Sequence, residues 1–230
     1  MGQNILIVGA GSAMGQELVG QQLQEGNRVY TTSRKSLEKQ GEDHYHAPFN
    51  ILESDFPGGF LPDSLDGLVY LPGTINLKPF RALKPEAFME DFQINVMGGI
   101  KAIQRTQKLF KSGSSIVMFS TVAVQRGMAY HSSIAASKGA VEGLVRTLAA
   151  ELAPKTRVNA IAPSLTHTPM SERMINTEEK LEAMKQRHPL KEIGHPRDMA
   201  SMVSYLLSDE ARWITGQIMH IDGGLSTLNK

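Results

Sequence analysis

The chain has 230 residues, 41% of them hydrophobic and 20% charged, with a formal net charge of +1 at pH 7. That size suits one domain with a sizeable buried core, and the near-neutral charge leaves no electrostatic footprint for nucleic acid or an anionic membrane surface. With no cysteine, the chain has no disulfide, thiolate nucleophile or thiolate metal site.

Ile5-Leu6-Ile7-Val8 has the length and branching of a fully buried strand, while Met14, Leu18, Val19 and Leu23 recur at helical spacing. Between them lie Gly9, Gly11 and Gly15. Glycines there let the backbone turn sharply and approach an anion, and the free N–H groups at a helix start favour a pyrophosphate. Met14 stands where the third glycine of a simple Gly-x-Gly-x-x-Gly would be.

Arg28-Val29-Tyr30-Thr31-Thr32 predicts strand two, with Ser33-Arg34-Lys35 at its carboxyl end. Residues 36–48 lack apolar periodicity, so the crossover to strand three is expected to be abbreviated or irregular. Leu65 to Leu71 predicts strand four, stopped by Pro72-Gly73. A helix from about Lys84 carries Phe88, Phe92, Ile94, Asn95, Ile100 and Ile103 and leads to strand five at Ser115 to Phe119. A long helix is expected over about Ser132 to Leu152, ended by Pro154, with strand six at Arg157 to Ile161. Residues 164–195, polar, Met-rich and bracketed by Pro163 and Pro196, suit a mobile flap over a pocket. A helix around Asp198 to Leu207 and a strand at Gln217 to Ile221 complete the pattern.

The alternation predicts an α/β fold: a single doubly wound domain over residues 1–230, its seven-stranded, mostly parallel sheet covered by helices on both faces. Ligands of such sheets bind at the carboxyl ends of the strands. No run approaches the roughly 20 apolar residues of a membrane span, and no secretory leader pattern opens the chain, so a cytoplasmic enzyme or binding protein is expected. The seven histidines include no i, i+4 pair backed by a glutamate, so no metal is expected.

Ser137-Lys138-Gly139-Ala140-Val141-Glu142-Gly143-Leu144, Arg157-Val158-Asn159-Ala160-Ile161-Ala162-Pro163, and Ile214-Thr215-Gly216-Gln217 with Ile221-Asp222-Gly223-Gly224 follow one another in order. With the glycine-rich turn, they make the chain resemble the classical short-chain dehydrogenase/reductase family over nearly its whole length. The resemblance implies a Rossmann-like fold, a nicotinamide cofactor, hydride transfer to or from a small carbonyl or alcohol substrate, and a homotetramer or homodimer. By position, Gly9, Ser12, Ala13 and Gly15 occupy the family's glycine-rich turn, with Gly11 and Met14 between them; Ala13 replaces the middle glycine, which helical dihedrals would tolerate. Ser33 stands where NAD-preferring members carry an acidic residue, and Arg34 and Lys35 follow. Without a carboxylate to repel a 2′-phosphate and with two cations to neutralise it, NADP(H) is favoured over NAD(H), unless the basic pair is only a solvated loop. Asn50 and Gly73 complete the implied cofactor-binding set on the first half of the chain. Pro163-Ser164 replaces the family's Pro-Gly turn, and Thr168, with Thr166 nearby, falls where the nicotinamide carboxamide is held.

The departure lies in the catalytic set. The family places a proton-transferring tyrosine four residues before its lysine, and four residues before Lys138 is Ile134. An aliphatic side chain cannot move a proton. Thr121, with Ser120 beside it, corresponds to the family's serine, and Asn95 to its fourth catalytic member, unless Asn95 is a helix-bending structural amide. Tyr70-Leu71-Pro72-Gly73 replaces the usual Asn-Asn-Ala-Gly. Three explanations stay open: an acid supplied by Tyr130 or His131, which alternatively only line the pocket; a proton from water or Thr121; or a dinucleotide-binding regulator or non-catalytic subunit that does not turn over, assembling through the helices near residues 85–110 and 132–152.

Overall fold

The computed structural model describes residues 2–53, 55–57 and 59–228. β1 (Asn4–Val8) turns into α1 (Ala13–Gln24), followed by β2 (Arg28–Ser33), β3 (His44–Pro48) and β4 (Leu65–Tyr70). Then come α2 (Pro85–Phe92), a π-helical turn (Gln93–Met97), α3 (Gly98–Thr106), β5 (Phe110–Phe119), α4 (Ser132–Leu152) and β6 (Thr156–Pro163). Two short helices, α5 (Glu172–Ile175) and α6 (Glu178–Gln186), precede α7 (Pro196–Leu207) and β7 (Ile218–Ile221). The seven strands form one sheet in the order β3-β2-β1-β4-β5-β6-β7, and every pairing is parallel.

Strand side chains alternate between two apolar layers, as a two-residue period requires. Leu6, Val8, Leu68, Ile116, Met118 and Val158 meet Val141, Val145 and Ala149 of α4 and Ala102 and Ile103 of α3. Ile5, Ile7, Val69, Val117 and Ile161 meet Leu18 and Val19 of α1 and Met199, Val203 and Leu206 of α7. With both faces covered, the central strands read as near-continuous hydrophobic runs. The sheet is therefore the doubly wound one expected.

The crossover after β2 is as expected, while two elements differ from their expected form, each for a local cause. No helix forms between β2 and β3, in keeping with the polar crossover, and β3 is held at the sheet edge by side chains as well as its ladder: Thr31 Oγ1 lies 2.9 Å from His44 Nε2 and 3.0 Å from His46 Nδ1. β5 begins at Phe110 rather than Ser115, because Phe110 is buried and pairs with Leu65 across an irregularity in the register. The single helix expected from Lys84 is broken by the π turn at Asn95, whose side-chain amide donates to the Asp91 carbonyl at 2.7 Å.

The strand order reverses between β1 and β4, where β1 is flanked by β2 and β4. At this switch point a crevice opens at the carboxyl ends of the strands. Gly9 adopts φ 85, and a Cβ there would lie 2.8 Å from Pro72 Cδ, so the ends of β1 and β4 touch. Ser12 caps α1, its Oγ accepting from the Gly15 N–H at 3.1 Å. A Cβ on Gly15 would stand 2.6 Å from Ala10 Cα, so α1 rests directly on the turn before it.

Gly15→Ala should therefore destabilise the fold: overpacking against backbone costs about 1–3 kcal/mol, against a helix-propensity gain of at most about 1 kcal/mol. The readout is thermal melting, where an unchanged midpoint would mean that α1 shifts freely.

Candidate active site

A cavity of about 500 Å³ opens at the carboxyl ends of the strands, running from the start of α1 to the segment that carries α5 and α6. Gly11, Ser12, Ala13, Met14 and Arg34 line one end. Thr121, Ile134, Lys138 and Gly73 line the middle, with Met170, Met174, Met184 and His188 beyond.

At the first end, α1 begins at Ala13, so the extra methyl relative to glycine sits on a helical residue and meets no conformational penalty. The amides of Gly15 and Gln16 are engaged by Ser12, which leaves those of Ala13 and Met14 for a ligand. Ser33 is buried, its hydroxyl donating to the Lys35 carbonyl at 2.5 Å, and its Cβ would lie 3.2 Å from a Cβ on Gly11. Arg34 faces the cavity and Lys35 is exposed outside it; neither joins an ion pair among the described residues. Asn50 lies outside the cavity lining, with its Oδ1 accepting from the Leu52 amide at 3.2 Å.

In the middle, Lys138 on α4 is buried and its Nζ donates to the Phe119 carbonyl at 2.8 Å. Burial lowers its pKa from 10.5 to about 7, while the carboxylate of Asp91 pulls it up. A Cβ on Gly73 would lie 3.3 Å from Asn95 Oδ1 and 3.6 Å from Lys138 Nζ, so these three groups converge. Asn95 Oδ1 is buried and lacks a hydrogen-bond partner, while its Nδ2 donates to the Asp91 carbonyl at 2.7 Å and to Thr74 Oγ1 at 3.1 Å. The amide thus shapes the π turn through its nitrogen and turns its oxygen toward Gly73, which lines the cavity.

Asp91 is the part of this centre that the sequence reading missed. Fully buried, it accepts from Thr74 Oγ1 and Ser133 Oγ at 2.5 Å each and from Asn76 Nδ2 at 2.9 Å. Its signal was its place four residues before Asn95 on an otherwise amphipathic helix, which puts both on one face.

The hydroxyls divide. Ser120 donates to Glu142 Oε1 at 2.7 Å, and Arg146 pairs with the other carboxylate oxygen at 3.1 Å. Ser120 also lines the cavity, but its proton is directed to α4. Thr121 Oγ1 accepts from the Ala123 amide at 3.3 Å, leaving its proton for the cavity. Ile134 is buried and faces the cavity one helical turn before Lys138, as the i, i+4 spacing requires.

Of the two loop candidates for an acid, Tyr130 lies at φ 69, 58% exposed and outside the cavity lining. His131 does line the cavity, its Nδ1 2.7 Å from the Ala129 carbonyl. That contact fixes the proton on Nδ1, since a carbonyl only accepts. Pro163, Ser164, Thr166 and Thr168 all line the cavity. Thr166 Oγ1 donates to the Ser164 carbonyl at 3.2 Å, and the Thr168 amide donates to Ser171 Oγ at 3.0 Å. Among the described residues no cluster of three or more metal-ligating side chains occurs, and no helix is long and apolar enough to cross a membrane.

The burial of Lys138 makes a pH-dependent prediction. The unfolded chain keeps the proton up to about pH 10.5, whereas the folded protein releases it at about 7, so this group's contribution to stability rises with pH through that window. The melting midpoint of the native protein relative to Lys138→Met should rise as pH goes from 7 toward 10; parallel curves would refute a depressed lysine.

Comparison with known proteins places the chain. A family profile described as enoyl-(acyl carrier protein) reductase matches residues 41–226. L-xylulose reductase of Bos taurus is 30% identical, with 97% of this chain and 96% of that protein aligned. A short chain dehydrogenase family protein from Francisella tularensis shares the fold with a TM-score of 0.88 at 22% identity, covering 99% of this chain and 100% of its own. ElxO with NADP bound superposes at a TM-score of 0.86 and 23% identity, covering the same shares of the two chains.

Proposed function

The chain belongs to the short-chain dehydrogenase/reductase family, and from that premise we propose that it binds NADP(H) and transfers hydride between the nicotinamide and a small carbonyl or alcohol substrate, with a depleted catalytic set. One observation carries the reading: a single cavity joins the open helix start and Arg34 at one end to Lys138, Thr121 and Gly73 in the middle, with the orphaned Asn95 oxygen buried behind Gly73. The nicotinamide, when bound, supplies or accepts the hydride.

The protein's own groups divide the remaining work. The Ala13 and Met14 amides and the α1 dipole hold the pyrophosphate. Arg34 and Lys35 hold the 2′-phosphate, because no carboxylate stands at position 33 to repel it. Lys138, tethered by the Phe119 carbonyl, donates to ribose hydroxyls. Thr121 donates its free proton to the substrate oxygen, polarising the carbonyl. Ile134 offers apolar surface where a proton donor would serve, and the apolar wall of Met170, Met174 and Met184 keeps water from the reacting carbon. A soluble small-molecule reductase of this type works in the cytoplasm as a homotetramer or homodimer, and its single domain carries residues 164–195 as the flap that admits substrate.

Ile134 also favours a second reading, a dinucleotide-binding regulator or non-catalytic subunit. The two separate on whether any carbonyl compound accelerates NADPH oxidation once the cofactor is shown to bind. Arg34→Glu should weaken NADP(H) at least about tenfold while leaving NAD(H) affinity nearly unchanged, a shift of about 1.4 kcal/mol in calorimetric titration; equal losses for both would sink the phosphate assignment. Ile134→Tyr should raise kcat, since a positioned acid contributes about 10²–10⁴-fold. No gain in a variant that still binds cofactor would mean that the proton already arrives efficiently by another path.

A further inference from the structure

Among the groups these assignments leave unused, one hydroxyl and one imidazole in the cavity are bonded to each other. Ser164 is the first residue past β6, and its Oγ lies 2.9 Å from His188 Nε2. His188, just beyond α6, is 3% exposed, and its Nδ1 lies 2.9 Å from the Met184 carbonyl oxygen. The carbonyl fixes the proton on Nδ1, so in the neutral ring Nε2 accepts from the Ser164 hydroxyl. The backbone of Gly223 holds the ring from the other side: a Cβ there would stand 3.6 Å from His188 Cβ and 3.7 Å from its Cδ2.

This pair stands beside the reacting centre. The Val122 amide donates to the Pro163 carbonyl at 3.2 Å, so Thr121-Val122 and Pro163-Ser164 run side by side past the ends of β5 and β6. Thr121, Ile134, Ser164 and His188 line the same cavity. His131, the other imidazole there, has no hydroxyl bonded to its ring among the described residues.

We propose that Ser164 and His188 form the proton relay that takes the place of the phenol absent at position 134. The proposal rests on the hydride-transfer reading above. In reduction, the Ser164 O–H bond breaks and its proton goes to the substrate oxygen as the hydride, with its electron pair, reaches the carbon. The imidazolium Nε2–H gives its proton to Ser164 Oγ in the same event, and the neutral ring regains a proton from solvent. In oxidation the alcohol proton passes to Ser164, whose own proton moves to Nε2. Reduction therefore needs the charged ring and oxidation the neutral one. The charged and titratable groups near it in the chain are Lys185 (paired with Glu192), Arg187 and Lys191 on the histidine's own segment and, before the Gly223 that packs on the ring, His220 of β7 and Asp222 just past it. The Asp222 carboxylate is occupied by the Gly224 and Ser226 amides and the Ser226 hydroxyl.

The test is kcat and KM across the neutral pH range, in both directions, for the full chain with NADPH or NADP and a carbonyl/alcohol pair that it turns over. Native reduction should fall, and oxidation rise, as pH increases. His188→Gln should flatten both limbs and lower kcat about a hundredfold, with KM for the cofactor nearly unchanged. Ser164→Ala should do the same and Ser164→Thr should restore activity; if His188→Gln fails to fold, this serine pair decides. Limbs and kcat that survive in His188→Gln or Ser164→Ala, or limbs that vanish in His131→Asn instead, overturn the relay alone. Tight NADPH binding without turnover of any carbonyl compound by the native protein overturns the hydride reading and the relay with it.

Discussion

Helix α1 lies against the turn that precedes it because position 15 has no side chain; a Cβ there would stand 2.6 Å from the Ala10 backbone. The neighbouring contact is equally tight, with Gly9 pressed against Pro72. Together they bring a helix start, the tip of β1 and the tip of β4 to one place, and a parallel sheet whose order reverses there leaves a crevice above it. The phosphate end of the cavity follows from this geometry. So does the position of Gly73, which passes close enough to Asn95 and Lys138 that no side chain would fit between them without displacement.

The centre of the site is polar and buried. A lysine that is buried has its charged form destabilised, and Asp91 acts against that loss from within a network of its own. Each hydrogen bond in the network fixes another group: Thr74 receives the Asn95 amide, Ser133 ties the start of α4 to α2, and Asn95 opens the helix at the π turn. Such a set is sensitive to single losses, since a buried polar atom without its partner costs the full desolvation penalty. Within this network the Asn95 oxygen is left unpartnered, and it approaches Gly73 as the lysine does.

Much of the fold was legible in the sequence because the central strands are buried on both faces and carry unbroken apolar runs, and because α4 ends at a proline. The bounds Ser132–Leu152 of α4 coincide with the expected ones. Phe110 to Ser114 escaped notice because Lys111, Ser112 and Gly113 interrupt the apolar signal before the strand enters the core. At the site, the i, i+4 relation of Ile134 to Lys138 placed both residues, since helix geometry fixes which side chains share a face. Side-chain pairings across long separations are another matter. Nothing local tells Ser120 to turn toward Glu142, twenty-two residues away, or Ser164 to meet His188; those choices are made by tertiary packing.

The π turn has a consequence for the register of everything after it. One residue of an α-helix spans about 100° of rotation, and a π bulge accommodates one residue more than a regular turn. Asp91 and Asn95 on one side of it and Gly98, Ala102 and Thr106 on the other are all buried across that added residue. Deleting a single amino acid between them would restore ideal pitch and swing the amide away from the lysine, so chain length here is constrained as tightly as residue identity.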